Sequence, residues 1–331
     1  MRAAERRWRR TLQGIVLGTL AACHAPDAND GGPADADEAC APILSDMVDD
    51  AAGDCAAFVT VPCGLRDGAT VSLCYPDLTS CAEACPGNIL YCVLAPSSCA
   101  ADGGPVEGPA LVECSACGAG GRRPRGMHAA AACGASEIGS HLARLTQLEH
   151  ASVRAFEDLS ESLARFGAPR LLIAAARRAA LDERRHARMM TRLARRFGGV
   201  VVPPRVRATA PTLAALIEDD AIEGCANETF AALVATWQAA HARDLRVRTA
   251  MGPIARDETR HAALAWEILA WGAPKLGAAD RARVRRRLHD ALAALGRSGS
   301  LGPRARRALG HPDAATARRL ADGLRARAPL V

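Results

Sequence analysis

Aromatic side chains are scarce in this sequence, at 3% of 331 residues, and there are only two tyrosines, Tyr75 and Tyr91. Sandwiches and barrels draw on aromatic and β-branched residues. The scarcity, with an abundance of Ala, Leu and Arg, therefore argues for helices packed through small side chains. No stripe of basic residues interleaves with aromatics, which excludes a nucleic-acid surface despite a formal net charge of +6. The apolar stretch near the N-terminus, "TLQGIVLGTLAA", is too short to span a bilayer as a mature helix. A second Cys-x-x-Cys to accompany Cys114-Ser-Ala-Cys117 is also missing, as is a His-x-His at a suitable distance. A structural disulfide is thus favoured there over a redox pair or half of a zinc site.

Charge is distributed in three blocks. Residues 1–22 carry a net +4, residues 23–133 a net −11 and residues 134–331 a net +13, which points to distinct bodies. The first block reads as a leader. "MRAAERRWRR" is a basic n-region and the apolar stretch after it ends in "LAAC", Leu20 to Cys23. This resembles the bacterial lipobox, with 1–22 as signal peptide and Cys23 as the acylated first residue of a lipoprotein. An ordinary signal peptide cut elsewhere is the alternative. Arg9-Arg10 before Thr-Leu loosely resembles a twin-arginine export signal. The expectation is a chain held to the membrane by its lipid, extracytoplasmic, at the cell envelope. Residues 23–39, "HAPDANDGGPADADEA" after the cysteine, cannot bury enough apolar surface to fold and read as a flexible tether.

Thirteen cysteines are present, eleven of them between Cys40 and Cys133. Outside the cytoplasm such density marks a small, loop-rich disulfide domain over residues 40–133. Eleven is odd, so one thiol is free, pairs between chains, or reaches Cys225.

From about residue 136 the apolar pattern takes a period of 3.6. Four long helices are expected at 141–166, 169–197, 210–242 and 244–271, punctuated by Gly167-Ala-Pro169, Gly198-Gly199 and Pro203-Pro204. Gly252-Pro253 is expected to kink or restart the fourth. Four long helices with short connections make an all-α four-helix bundle, here over residues 136–272. Residues 273–331 read as two shorter Arg- and Ala-rich helices, near 278–296 and 312–328.

Two stretches within that region repeat: "LDERRHARMM" at 181–190 and "RDETRHAALA" at 256–265. Glu149 precedes Glu183 by 34 residues and Glu223 precedes Glu258 by 35, and on that alignment "LEHASVRAF" lies over "IEGCANETF". The chain therefore contains two copies of one helix pair: a helix with a single Glu, then a helix with Glu-x-x-His. Glu183 and His186 share a helical face about 4.5 Å apart along the axis, as do Glu258 and His261. Four carboxylates and two imidazoles form a ligand set suited to two metal ions, iron first and manganese as the alternative. Asp182 and Asp257, four residues before the histidines, stand where a carboxylate orients an imidazole. Arg185 and Arg260 either neutralise those aspartates or face solvent. His150 points about 100° away from Glu149. Glu157, Glu228 and Cys225 are weaker ligand candidates, with Glu228 a substitute for Glu223. Trp237, Trp266 and Trp271 read as packing residues.

Over residues 140–272, some 40% of the chain, "LEHASVRAF", "DERRHA", "IEGCANET" and "DETRHA" resemble the ferritin-like superfamily of dinuclear carboxylate proteins, which includes rubrerythrins and diiron oxidases. More narrowly, the chain looks like the ferritin-like lipoproteins of high-GC bacteria. The resemblance implies Glu183 and Glu258 as bridging carboxylates, Glu149 and Glu223 as terminal ligands, and one histidine per metal. It implies an O₂- or peroxide-dependent oxidoreductase fed by an external electron donor. Both tyrosines lie in the Cys-rich segment, against a tyrosyl-radical function, and no rubredoxin-type cysteine pairs supply a built-in donor. Two alternatives stay open: a non-catalytic protein that sequesters iron or manganese, and a Cys-rich interaction module carried on a helical stalk.

Overall fold

A computed structural model describes residues 2–23, 56–61, 91–95, 110–115, 122–124, 127–128, 133–206, 210–296 and 301–329. The tether after Cys23 and the pairing of most cysteines between Cys40 and Cys117 fall outside the described residues. Within the Cys-rich segment, β1 (Ala56–Val61), β2 (Tyr91–Ala95) and β3 (Ala110–Ser115) form an antiparallel sheet in the order β1-β3-β2, with Cys92 opposite Cys114 in the register. Ahead of them runs helix α1 (Arg2–Cys23).

The described residues from 137 onward are mostly helical. α2 (Glu137–Arg165) starts where the Ser136 hydroxyl accepts the Gly139 amide at 3.0 Å, an N-cap that satisfies one otherwise orphaned donor. It stops at Gly167, whose φ of 69° suits a residue without Cβ. α3 (Arg170–Arg196) follows directly and packs along α2. The connection out of α3 carries β6 (Gly199–Val200) and β7 (Arg205–Val206). These pair with β5 (Cys133–Gly134) and β4 (Met127–His128), fastening the segment before α2 onto that connection.

The third long helix is not uniform. α4 (Leu213–Asp219), capped by Thr212, passes into a π-helical stretch (Asp220–Glu228) and then into α5 (Thr229–His241). α6 (Leu245–Gly272) is capped by Asp244, which accepts the Arg246 and Val247 amides, and it runs unbroken through Pro253, without the expected restart. Three shorter helices rather than two complete the chain: α7 (Ala278–Ala294), α8 (Pro303–Leu309) and α9 (Ala314–Arg325).

α2 pairs with α3 and α5 with α6, and the two pairs meet through α3 and α6. Apolar side chains form two buried clusters. The larger includes Phe156, Leu163, Ile217, Leu233 and Ile268, and the smaller Leu142, Met190, Val247 and Leu309. On each of α2, α3 and α6 the charged residues singled out above fall between members of one cluster and members of the other. α1 belongs to the larger cluster: Trp8, Leu12, Ile15 and Val16 are buried, and the Trp8 ring stacks on Trp266 with centroids 5.3 Å apart. Ile15 fits because Gly323 of α9 lacks a Cβ, which would come within 2.7 Å of it. Among the described residues no helix is long and apolar enough to cross a membrane.

Candidate metal centre

Helical phase brings the repeated motifs together. Three residues apart on α3, Glu183 and His186 share its inner face, and Glu258 and His261 do the same on α6. Glu149 of α2 joins them. One ligand atom each from Glu149, Glu183, His186 and Glu258 lies within 4.8 Å of the others, and all four residues are buried. His186 Nδ1 is 3.5 Å from Glu149, 3.7 Å from Glu183 and 3.4 Å from Glu258. Across the pseudo-twofold relation, His261 Nδ1 is 3.0 Å from Glu183 and 3.6 Å from Glu258. The imidazole centroids are 6.0 Å apart, and Glu183 and Glu258 approach both rings. Five of the six expected ligands are therefore assembled.

The sixth is not. Glu223 is half-buried and its carboxylate accepts the Arg123 amide at 3.3 Å. Glu228, like Asp220 of the same helix, has no solvent exposure, and it interacts electrostatically with His261, Glu258 and Glu183. The exchange follows from the π-helical stretch. Aligning the two repeats puts Glu223 over Glu149, but a π-helix closes i→i+5 hydrogen bonds and turns the residues it contains out of α-helical phase. Glycine at 224 lets this stretch approach α6, since a Cβ there would meet Ala265 Cβ at 2.5 Å.

The aspartates take up the imidazoles in crossed fashion. His186 Nε2 bonds Asp257 at 3.1 Å, and His261 Nε2 faces Asp182 at 3.5 Å, so each aspartate serves the histidine of the other repeat. Arg185 binds Asp182 at 2.8 Å and Asp257 at 2.6 Å, and Arg260 binds the same pair at 2.9 and 2.5 Å. Both arginines pair with the aspartates, Arg185 from an exposed position and Arg260 from a half-buried one. With Nε2 turned outward to a carboxylate, each histidine points Nδ1 at the centre.

Electrostatics follow from burial. Glu149 is pushed up to about 8, first by loss of solvation and then by neighbouring Glu183. Burial also raises Glu228 to about 8, against the pull of Arg122 and His261. Glu183 goes the other way: its burial would raise it, but the two imidazoles beside it hold it at about 2. Burial alone would lower the histidines, yet the surrounding carboxylates raise both well above their usual value.

Many polar atoms here have no hydrogen-bond partner: Glu149 Oε2, both oxygens of Glu183 and Glu228, Glu258 Oε2, and the Nδ1 atoms of His186 and His261. Orphaned buried oxygens and nitrogens are costly unless something binds them. Convergent carboxylate oxygens with two imidazole nitrogens fit divalent ions of the iron or manganese type. The remaining candidates lie elsewhere. His150 is near Thr191 Oγ1 at 3.4 Å, Glu157 pairs with Arg154 and Arg184, and Cys225 is a buried apolar residue. Trp237 and Trp266 are buried packing residues as expected. Arg122 was not singled out by sequence; its side chain is buried against Asp220 and 4.0 Å from Glu228.

No family model, curated protein or solved structure matches the chain. The chemistry of the cluster therefore rests on its own geometry.

Proposed function

We propose that this chain is a ferritin-like dinuclear-metal protein, with the four long helices as its bundle and an iron pair as its cofactor. Glu149 and His186 would hold one ion and Glu228 and His261 the other, with Glu183 and Glu258 serving both. The observation that carries this reading is the convergence of orphaned carboxylate oxygens and two histidine Nδ1 atoms in a buried interior. Two ferrous ions would supply the electrons to reduce O₂ or peroxide, making the protein an oxidoreductase served by an external donor. The chain's own part is to hold the ligands, to fix both imidazoles through Asp257 and Asp182, and to exclude water with the two apolar clusters.

The second reading is iron or manganese sequestration, in which the same ligands would hold the ions without turnover.

The resemblance of residues 1–22 and Cys23 to a lipoprotein leader supports a proposed location at the cell envelope, lipid-anchored through Cys23. Mass spectrometry of the native N-terminus tests that. A diacylated Cys23 supports the anchor, whereas an intact residue 2 makes α1 a permanent part of the body.

The metal reading is tested by loading the purified protein with Fe²⁺ anaerobically, measuring stoichiometry by mass spectrometry, and recording absorbance on exposure to air. About two irons per chain with a near-ultraviolet charge-transfer band on oxygenation is expected. Two irons without turnover of any added reductant would favour sequestration, and no stoichiometric metal would overturn both readings.

A further inference from the structure

Arg122 enters the helical body from the segment that precedes it. Its side chain is 5% exposed. One terminal nitrogen, Nη2, bonds Asp220, and the other, Nη1, lies 4.0 Å from Glu228 Oε2 without a hydrogen-bond partner. The guanidinium carbon sits 5.5 Å from the centre of the Phe156 ring, and that ring is 4.8 Å from His261. Its backbone is fastened as well. The Arg122 carbonyl accepts the Ser152 hydroxyl at 2.9 Å, and the next amide donates to Glu223. Gly224 leaves room for the group, since a Cβ there would stand 3.3 Å from Nη2.

An isolated charge at this depth is expensive unless a partner compensates it. Asp220, Glu228 and Glu223 are the acidic groups near the guanidinium. Glu228 is also the carboxylate that, on the reading above, binds the ion beside His261. Arg122 and that ion thus compete for the same negative charge, and at low effective dielectric they repel one another.

We infer that Arg122 is a built-in counter-cation for the Glu228 side of the centre, so that docking of residues 122–124 and loading of the ion beside Glu228 and His261 oppose one another. The segment that leads from the Cys-rich part into the bundle is thereby tied to the metal state. The ion beside Glu149 and His186, on the far side of the shared carboxylates, is little affected. This inference rests on the dinuclear reading.

The test is a Mn²⁺ titration of the full chain, followed by electron paramagnetic resonance, on the wild type, Arg122→Gln and Arg122→Lys. The wild type is expected to fill in two steps. Arg122→Gln tightens the second step by at least about tenfold and leaves the first unchanged, and Arg122→Lys, which keeps the charge, resembles wild type. A second step unmoved or weakened in a folded Arg122→Gln protein overturns the inference and leaves the dinuclear reading standing. A wild type that takes up no Mn²⁺ removes both. Hydrogen exchange of the wild type decides the matter even if the glutamine variant does not fold. The Arg123 amide is expected to exchange several-fold faster with both ions bound, and an unchanged or slower rate overturns the inference.

Discussion

Each histidine of the centre faces an aspartate belonging to the other copy of the Asp-Glu-x-Arg-His segment, and this has consequences for single substitutions. Asp257→Asn is expected to weaken the ion on the His186 side by roughly 10- to 100-fold, the usual loss when the partner of a ligating imidazole is removed. Asp182→Asn is expected to act on the His261 side and less strongly, since its separation is 3.5 Å against 3.1 Å. Resolving the two Mn²⁺ sites spectroscopically checks the assignment; the reverse pattern would restore pairing within one helix. Glu228→Ala is expected to lose one ion and Glu223→Ala to keep both, as measured by metal content. Because Glu149 and Glu228 rise to about 8 in the metal-free protein, both hold a proton below that pH. Binding must displace these protons as well as those on the two histidines, so metal affinity climbs as pH rises through about 8. Calorimetry in buffers of different ionisation enthalpy would register the released protons; a flat dependence between pH 6 and 8 would contradict the environments described for these carboxylates.

At the scale of elements, the outcome turns on helical phase. Glu183, His186, Glu258 and His261 were legible in the sequence because i, i+3 spacing on an uninterrupted α-helix fixes which side chains share a face. Glu149 was legible from the duplication. Glu223 was drawn from the same duplication, which cannot register that residues 220–228 are π-helical and advance differently around the axis. The offset of Glu228 from that alignment is the only trace of the bulge in the sequence, and it gives no unique answer. The crossed aspartates were not legible either, since spacing along one helix does not say what stands on its neighbour. Gly224 is where the bulge meets α6. Gly224→Ala is expected to destabilise the fold by about 1–3 kcal/mol, because the added Cβ would overlap Ala265 at 2.5 Å. Denaturant unfolding measures it, and an unchanged midpoint would mean that the two helices separate freely.

For the molecule as a whole, the boundary between leader and body is the point at issue. Composition alone makes residues 1–22 a disposable export signal, since a basic run followed by a short apolar run is what such signals share. The same apolar residues also satisfy a helix-packing role, and Trp8, Leu12, Ile15 and Val16 occupy the larger cluster. A sequence pattern cannot separate these roles, because both demand an apolar face on a short helix. Trp8→Ala in the purified protein is expected to cost roughly 3 kcal/mol of unfolding free energy if α1 is retained, by analogy with other buried tryptophans. No change at all is expected if processing removes it.

The stacked indoles of Trp8 and Trp266 also give the protein an optical signature. The rings are nearly parallel, at 19°, and the Trp266 indole nitrogen donates to Thr229 Oγ1 at 3.2 Å, so its environment is fixed on one face by α1 and at one edge by α5. Of the four tryptophans, Trp237 is stacked instead on His241, with centroids 3.8 Å apart, and Trp271 lies near Lys275. Loss of α1 would open one face of Trp266 to water and shift its emission to the red. The colour of the protein's own fluorescence thus records whether a given molecule still carries its first helix.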